Sequence, residues 1–151
     1  MTASHLPAGY ILVEGYPTVP DYLHLRSTCI SPKTAEQADA AFRGSWYGVY
    51  VAEEAAPARA VAMGRIIGDG GWYFVIADMM TLPEHQRKGL GDVVLKKLLA
   101  RIESYAAKGA AHVMLSADPP GRRLYEKNGF KDMMPAQMGM GMYVLATGQG
   151  K

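Results

Sequence analysis

Cysteine is almost missing from this chain of 151 residues, which contains one, Cys29. A lone cysteine cannot form an intramolecular disulfide, and it excludes a cysteine-rich metal site. Long apolar runs are missing too. No stretch of about 18 apolar residues could span a membrane, and residues 1–9 lack the basic and apolar regions of a secretory signal. These absences predict a cytoplasmic protein with no membrane partner.

An excess of charge of one sign is also lacking. The chain has 16 Lys and Arg against 14 Asp and Glu, a formal net charge of +2, and no block of basic residues. Nucleic-acid-binding arms carry such blocks, so we expect no nucleic-acid partner. No group of histidines has the spacing of a metal site, so we expect no metal. Apolar residues make up 49% and charged residues 20%, which predicts a globular protein with one domain over residues 1–151.

The hydrophobic pattern alternates between strand and helix periods along the chain. Turn and cap signals, such as Thr34 with Gln37 three residues later, divide it into elements. We predict a strand at 10–15, helices beginning near 19 and 35, strands at 46–53, 59–67 and 72–82, a helix after 90, a strand at 111–116, a helix at 121–127, and strands at 130–133 and 138–145. This order predicts an α/β (α+β) fold, with a mixed, mostly antiparallel sheet of about six or seven strands and about four helices.

The stretch around which the other elements are arranged is a strand, a glycine loop and a helix. The apolar strand at 72–82 leads into a loop with Arg87 and Lys88, followed by Gly89 and Gly91. A helix start carries unpaired N–H groups and partial positive charge, and glycine lets the backbone approach a ligand closely. With two basic side chains added, the loop is predicted to bind a pyrophosphate.

The spacing of this loop differs from that of other phosphate loops. Gln86-Arg87-Lys88-Gly89-Leu90-Gly91 matches neither the Walker pattern nor the Gly-x-Gly-x-x-Gly of dinucleotide-binding folds. It fits Gln/Arg-x-x-Gly-x-Gly/Ala, which resembles the coenzyme A motif of the GCN5-related N-acetyltransferase (GNAT) superfamily.

A second stretch resembles the same superfamily. Tyr125-Glu126-Lys127-Asn128-Gly129-Phe130 fits its Tyr-x-x-x-Gly-Phe signature, in which a short helix leads into the next strand. The two signatures span residues 72–131, and the predicted order of elements is also that of the superfamily. The chain departs from the pattern at Asp118, near where many members place an asparagine that contacts the cofactor. Helix capping is the alternative role of this acid.

The resemblance implies an acyltransferase that moves an acetyl group from acetyl-CoA to an amine, with coenzyme A as product. The pantetheine arm of the cofactor would bond to the central strand as an added strand would. Arg122 would neutralise phosphates of the cofactor, or would simply be an exposed helix arginine. The implied cofactor-binding residues are Met79, Met80, Thr81, Gln86, Arg87, Lys88, Gly89, Leu90, Gly91, Asp92, Asp118 and Arg122.

Two residues are candidates for catalysis. By resemblance, Tyr125 is the general acid that protonates the departing thiolate, and its alternative role is a core aromatic with a hydrogen-bonded hydroxyl. Asp78 is the one charged residue of an apolar strand, and burial would raise its pKa toward that of a general base. Alternatively, Asp78 is a carboxylate paired with Arg65 or another basic group, and the amine loses its proton to water or to no residue at all.

The acceptor and the assembly are less constrained. We expect a small-molecule primary amine that attacks acetyl-CoA directly in a ternary complex. Two alternatives stay open: a protein or peptide N-acetyltransferase, which needs an open groove, and an acyl-CoA-binding module without catalysis. Family analogy also implies a homodimer through the C-terminal strands. His85, at the mouth of the loop, is expected to face solvent rather than the cofactor.

Overall fold

One sheet holds every strand of the computed structural model, which describes residues 5–150. Its strands lie in chain order: β1 (Tyr10–Glu14), β2 (Tyr47–Glu53), β3 (Ala56–Gly68), β4 (Tyr73–Thr81) and β5 (His112–Met114). Neighbours from β1 to β4 are antiparallel, and β5 runs parallel to β4. The predicted mixed, mostly antiparallel fold is therefore confirmed.

Four helices accompany the sheet within the described residues: α1 (Val19–Cys29), α2 (Ala35–Gly44), α3 (Leu90–Tyr105) and α4 (Arg122–Lys127). The predicted capping box at the start of α2 is confirmed. The Gln37 amide N–H donates to the Thr34 hydroxyl at 3.0 Å, and the Gln37 side chain accepts from the Thr34 N–H at 3.0 Å. Two of the orphan donors of this helix start are thus satisfied.

The chain divides into two compact units. The first ends at Leu115 and contains the sheet with α1, α2 and α3, and the second begins at Ser116 and contains α4. A single domain over residues 1–151 stays a prediction, and residues 1–4 and 151 lie outside the described part of the chain. Within residues 5–150, no helix is both long and apolar enough to cross a membrane, and no group of three or more His, Cys, Asp or Glu could hold a metal ion.

Helices cover both faces of the sheet in the first unit. A Cβ built on Gly64 of β3 would lie 2.8 Å from Val94 and 2.9 Å from Leu98, so this face of β3 packs against α3. The next residue, Arg65, joins through Asp78 to side chains of α1. Because successive strand residues point to opposite faces, α1 lies on the face opposite α3. The buried core includes Leu25, Val49, Val51, Met63, Ile66, Phe74, Leu90, Val94, Leu95 and Leu98.

The close packing at Gly64 gives a test of the sheet–helix interface. We expect Gly64→Ala to lower the free energy of unfolding by about 1–3 kcal/mol, because the added methyl group overpacks a full core. It would lie 2.5 Å from the Met79 sulfur as well as against α3. Urea denaturation measures the change. Gly44→Ala is the control, since a Cβ there meets nothing within 4 Å, and equal losses for both variants would contradict this packing.

The second unit differs from prediction. The strands predicted at 130–133 and 138–145 are not formed, so the sheet has five strands instead of six or seven. Residues 133–150 contain no charged residue, and the large apolar side chains at 138–145 are exposed, with Met140 92% and Leu145 96% accessible. A strand needs a hydrogen-bonded neighbour, and this segment has none within the described chain. Strand propensity alone therefore gave the wrong prediction here.

Candidate active site

The outer edge of β4 is open along most of its length. β4 pairs with β5 only from Tyr73 to Val75, whereas its pairing with β3 continues to Thr81. Beyond Val75 no described strand covers the outer side of β4. The residues predicted to bond the cofactor arm, Met79, Met80 and Thr81, lie on this open stretch, although the Met80 side chain is buried. An extended ligand can add there as a strand would.

A bulge interrupts β4 within the open stretch. Met63 pairs with Met80 and Arg65 pairs with Ala77, so Asp78 and Met79 together face the single residue Gly64. The backbone of Asp78 has φ +52°, a left-handed conformation that is uncommon outside glycine. Bulges of this kind redirect a side chain next to a functional site. Here the bulge turns the Asp78 carboxylate toward α1.

The loop after β4 presents the start of α3 without a capping side chain. A short 3-10 turn, Pro83–His85, leads to Gly89, which is the N-cap residue of α3 and has φ +82°. Arg87 is also left-handed, with φ +62°. Gly89 supplies no side-chain hydrogen bond to the first turn, and a Cβ built on it would meet nothing within 4 Å. The helix start is thus open to an anion, as a pyrophosphate site requires.

Side chains fasten this loop to the sheet. The side-chain amide of Gln86 donates to the Thr81 carbonyl at 3.0 Å, and Lys88 Nζ donates to the Tyr10 hydroxyl at 3.2 Å. The Tyr10 hydroxyl and His85 Nδ1 also form a hydrogen bond, at 2.7 Å. The His85 side chain is only 12% exposed, so the expectation that it faces solvent is wrong. Tyr10 was not predicted to support the loop, since it lies 75 residues before His85.

The open helix start gives a second test. We expect Gly89→Asp to weaken coenzyme A binding roughly tenfold or more, because a carboxylate beside the helix N-terminus repels a diphosphate. Gly89→Asn is the matched control: asparagine has the same size and the same cost at positive φ, but no charge. Isothermal titration calorimetry with coenzyme A measures both affinities. Equal affinities of the two variants for coenzyme A would show that the diphosphate does not bind at this helix end.

Asp78 is the centre of a buried cluster in the first unit. Tyr22 donates to Oδ2 at 2.5 Å, Arg26 Nη1 to Oδ1 at 2.8 Å, and Arg65 Nε to Oδ2 at 2.7 Å. Burial raises the pKa of Asp78, but the Tyr22 and Arg65 hydrogen bonds and the two guanidinium charges outweigh it, so the net pKa lies below the usual value. Burial and the bond to Asp78 raise the pKa of Tyr22 to about 12, which keeps Tyr22 a donor.

This cluster corrects one expectation. The prediction of a raised pKa at Asp78 is wrong, because burial brings two guanidiniums and a hydroxyl to the same carboxylate. The alternative, pairing with Arg65, is confirmed. A carboxylate held by three donors with a lowered pKa is a poor proton acceptor. The general-base role of Asp78 therefore has no physical support in this geometry.

The second unit carries the predicted acid, Tyr125, on α4. Its ring packs edge-on against Phe130 at 5.9 Å. Burial and, next, the negative charge of Asp118 raise the pKa of the Tyr125 hydroxyl. No described residue forms a hydrogen bond with this hydroxyl, and both the catalytic role and the core-aromatic role stay predictions. A tyrosine with a raised pKa keeps its proton at neutral pH and can donate it.

The two other predicted residues of this unit have local roles. Asp118 precedes a 3-10 turn, Pro119–Gly121, and its side chain makes no capping bond, so the capping alternative is wrong. Arg122 donates to Glu126 at 2.5 Å and lies 3.5 Å from Asp132. Its side chain is exposed, as in the alternative interpretation, and two carboxylates share its charge. Cofactor contact by Asp118 and Arg122 stays a prediction.

Comparisons with known proteins agree with this geometry. The sequence model of the acetyltransferase (GNAT) domain matches residues 45–132. Serotonin N-acetyltransferase 2, chloroplastic, from Oryza sativa subsp. japonica is 34% identical over 85 residues, 56% of this chain and 41% of that protein. The match thus spans less than half of this curated relative.

Solved structures share the fold. The crystal structure of a probable acetyltransferase from Staphylococcus aureus superposes with a TM-score of 0.82 at 31% identity, covering 89% of this chain and 99% of that one. A GNAT family acetyltransferase from Streptococcus pneumoniae superposes with a TM-score of 0.72 at 21% identity, covering 90% and 98%. The matched domain covers more than half of the chain, and the open β4 edge and uncapped α3 start lie inside it. The chain therefore belongs to the GNAT family of acetyltransferases.

Proposed function

We propose that this acetyltransferase transfers the acetyl group of acetyl-CoA directly to the primary amine of a small molecule, in a complex that holds both reactants. GNAT acetyltransferases use acetyl-CoA as cosubstrate. The observation that carries the proposal is the start of α3, which has a left-handed glycine as N-cap, no capping side chain, and the open edge of β4 beside it. A cytoplasmic location stays our prediction.

The residues present fit such a cosubstrate. Backbone amides at the start of α3 would bind the diphosphate, with charge from Arg87 and Lys88, while the open stretch of β4 would bond the amides of the pantetheine arm. Gln86 keeps the loop against the end of β4 through its bond to Thr81. Acetyl-CoA supplies an activated thioester carbonyl. Holding that carbonyl and an amine in contact provides several kcal/mol of the barrier reduction, roughly 7 or more in favourable cases.

The chemical step needs two proton movements. The amine nitrogen forms a bond to the thioester carbon, the carbon–sulfur bond breaks, and the electron pair leaves with sulfur. We propose that Tyr125, which its raised pKa keeps protonated at neutral pH, gives its proton to this thiolate. The amine proton passes to water, because Asp78 already accepts from three donors and its pKa is lowered. Catalysis thus rests mainly on positioning and on one proton donor.

Thiol release from acetyl-CoA tests the proposal. A panel of primary amines is incubated with the protein, and free thiol and the N-acetyl product are measured together. The rice relative is named for serotonin, so serotonin and tryptamine belong in the panel, beside short peptides with free amines. We expect product in a one-to-one ratio with thiol for a small amine. Product on peptides alone favours the peptide acetyltransferase, and coenzyme A binding without release on any amine favours the binding module.

We also propose a homodimer in which a second copy of the chain covers the apolar segment 138–145. This segment is exposed and lies within an uncharged run at 133–150. An exposed apolar patch of this kind typically marks an association surface. We expect Leu145→Lys to raise the dimer dissociation constant roughly tenfold or more, as measured by sedimentation velocity. Thr147→Lys, which adds the same charge just beyond the segment, is the control, and a wild-type monomer at all concentrations would contradict the dimer.

A further inference from the structure

The Asp78 cluster holds more positive than negative charge. It contains two guanidiniums, whose side chains are 10% (Arg26) and 12% (Arg65) exposed, and one carboxylate that is 6% exposed. Within residues 5–150, Asp78 is the one acid paired with either arginine. Nearly buried charges are normally matched by opposite charges, because leaving one unmatched costs much of its hydration energy. One more negative charge would therefore balance the charges of the cluster.

The two guanidiniums differ in how many of their nitrogens are hydrogen-bonded. Arg26 uses all three nitrogens, donating to Asp78, to the Ser31 carbonyl at 3.1 Å and to the Ser31 hydroxyl at 3.0 Å. Arg65 donates through Nε to Asp78 and through Nη1 to the Ser45 hydroxyl at 3.0 Å. Arg65 Nη2 makes no hydrogen bond to any residue that the structure describes.

Arg65 Nη2 is not fully buried. Among the described side chains, the one fully buried nitrogen or oxygen atom without a partner is Arg101 Nε. Arg65 Nη2 therefore keeps contact with open space. A guanidinium presents its nitrogens in a fixed planar fork, which suits the oxygens of a carboxylate or phosphate. Arg65 can thus hold Asp78 with one nitrogen and a second anion with another.

The position of Arg65 relates this anion site to the proposed reaction. Arg65 pairs with Ala77 of β4, one residue before the bulge, and its guanidinium is bonded to Asp78 in the open stretch. That stretch is where we propose that the cofactor arm adds to the sheet. An anion on Arg65 would lie on the α1 face beside that strand, on the same side as Tyr22 and Arg26.

We propose that the acceptor amine carries a carboxylate or a phosphate, and that this group pairs with Arg65. The inference rests on the proposed acetyl transfer and narrows its substrate class. The anion takes no part in bond changes: the amine still forms the bond to the acetyl carbon, and sulfur still leaves with the electron pair. Arg65 is a specificity residue, which orients the amine by holding the far end of the acceptor.

Matched acceptors test the proposal on the wild-type protein. We compare tyrosine with tyrosinamide, and phosphoethanolamine with ethanolamine, by kcat/KM for thiol release. We expect the anionic member of at least one pair to be preferred roughly tenfold or more, as one charge-assisted hydrogen bond permits. A preference for tyrosine indicates a carboxylate, and a preference for phosphoethanolamine indicates a phosphate. Equal or better turnover of the neutral members overturns the anion inference and leaves acetyl transfer intact, whereas no turnover of any amine overturns the proposed function itself.

A variant separates specificity from stability. Arg65→Gln leaves Asp78 paired with Arg26 in a balanced ion pair, so no buried charge is left unmatched. We expect it to lower kcat/KM roughly tenfold for the anionic acceptor and less than about threefold for its neutral partner. Arg43→Gln, at an exposed arginine, is the control and should change neither value. Equal losses on both acceptors would reduce Arg65 to a structural residue and contradict the proposal.

Discussion

Replacing Asp78 by asparagine should lower the free energy of unfolding by about 3–5 kcal/mol at pH 7, because the change leaves two nearly buried guanidiniums without their carboxylate. Both arginines and Tyr22 donate to this single side chain. Urea denaturation measures the loss. The control is Asp39→Asn, which removes an exposed ion pair with Arg43 and should cost about 1 kcal/mol or less.

The loss of unfolding free energy in Asp78→Asn should depend on pH. The pKa of Asp78 is lowered in the folded protein, so its stabilisation is fully present above the unfolded pKa of about 3.9 and disappears as the pH falls through the folded pKa. The difference in unfolding free energy between the wild type and Asp78→Asn should therefore be constant near neutral pH and shrink below about pH 4. A difference that is small at pH 7, or that grows on acidification, would contradict the cluster.

Tyr125→Phe should lower kcat by roughly ten- to a thousandfold while the dissociation constant of coenzyme A stays unchanged. The reason is that no described side chain or backbone group bonds to the Tyr125 hydroxyl, which its raised pKa keeps protonated at neutral pH. Removing this oxygen leaves the departing thiolate to take its proton from water. Steady-state kinetics and calorimetry give the two quantities, and circular dichroism checks folding.

The control for this variant is Tyr105→Phe, at an exposed tyrosine on the last turn of α3. It should leave kcat unchanged. A pH profile adds a second readout. The pKa of Tyr125 is raised, so any decline of wild-type kcat caused by its deprotonation should lie above the ordinary pKa of a tyrosine, and this decline should be absent in Tyr125→Phe. An unchanged rate in Tyr125→Phe would remove the residue from the mechanism.

Local patterns predicted the elements that depend on neighbouring residues. The capping box of α2 and the glycine loop before α3 each lie within a few residues, so their geometry follows from side-chain type and spacing. The strand at 138–145 depends on a partner that the pattern does not name. Alternating methionines and glycines give the right period, but strand formation needs a neighbouring edge, and the described chain offers none.

Two of the three partners of Asp78 were missed for the same reason. Arg26 and Tyr22 precede it by 52 and 56 residues, and sequence spacing carries no information about such contacts. A signal was nevertheless present in α1. Tyr22, Leu25, Arg26 and Cys29 recur at helical spacing on one face, and a charged residue on an otherwise apolar face requires a buried partner. Asp78, alone in an apolar strand, was the complementary half of that signal.

The bulge at Asp78 has a consequence for solubility. A strand that is hydrogen-bonded on one side only is a template on which other molecules can stack edge to edge and aggregate. In β4 the left-handed Asp78 breaks the regular row of donors and acceptors in the middle of its open stretch. A flat strand from a neighbouring molecule cannot match that interrupted row over its full length. The bulge thus hinders intermolecular sheet growth along the open edge of β4.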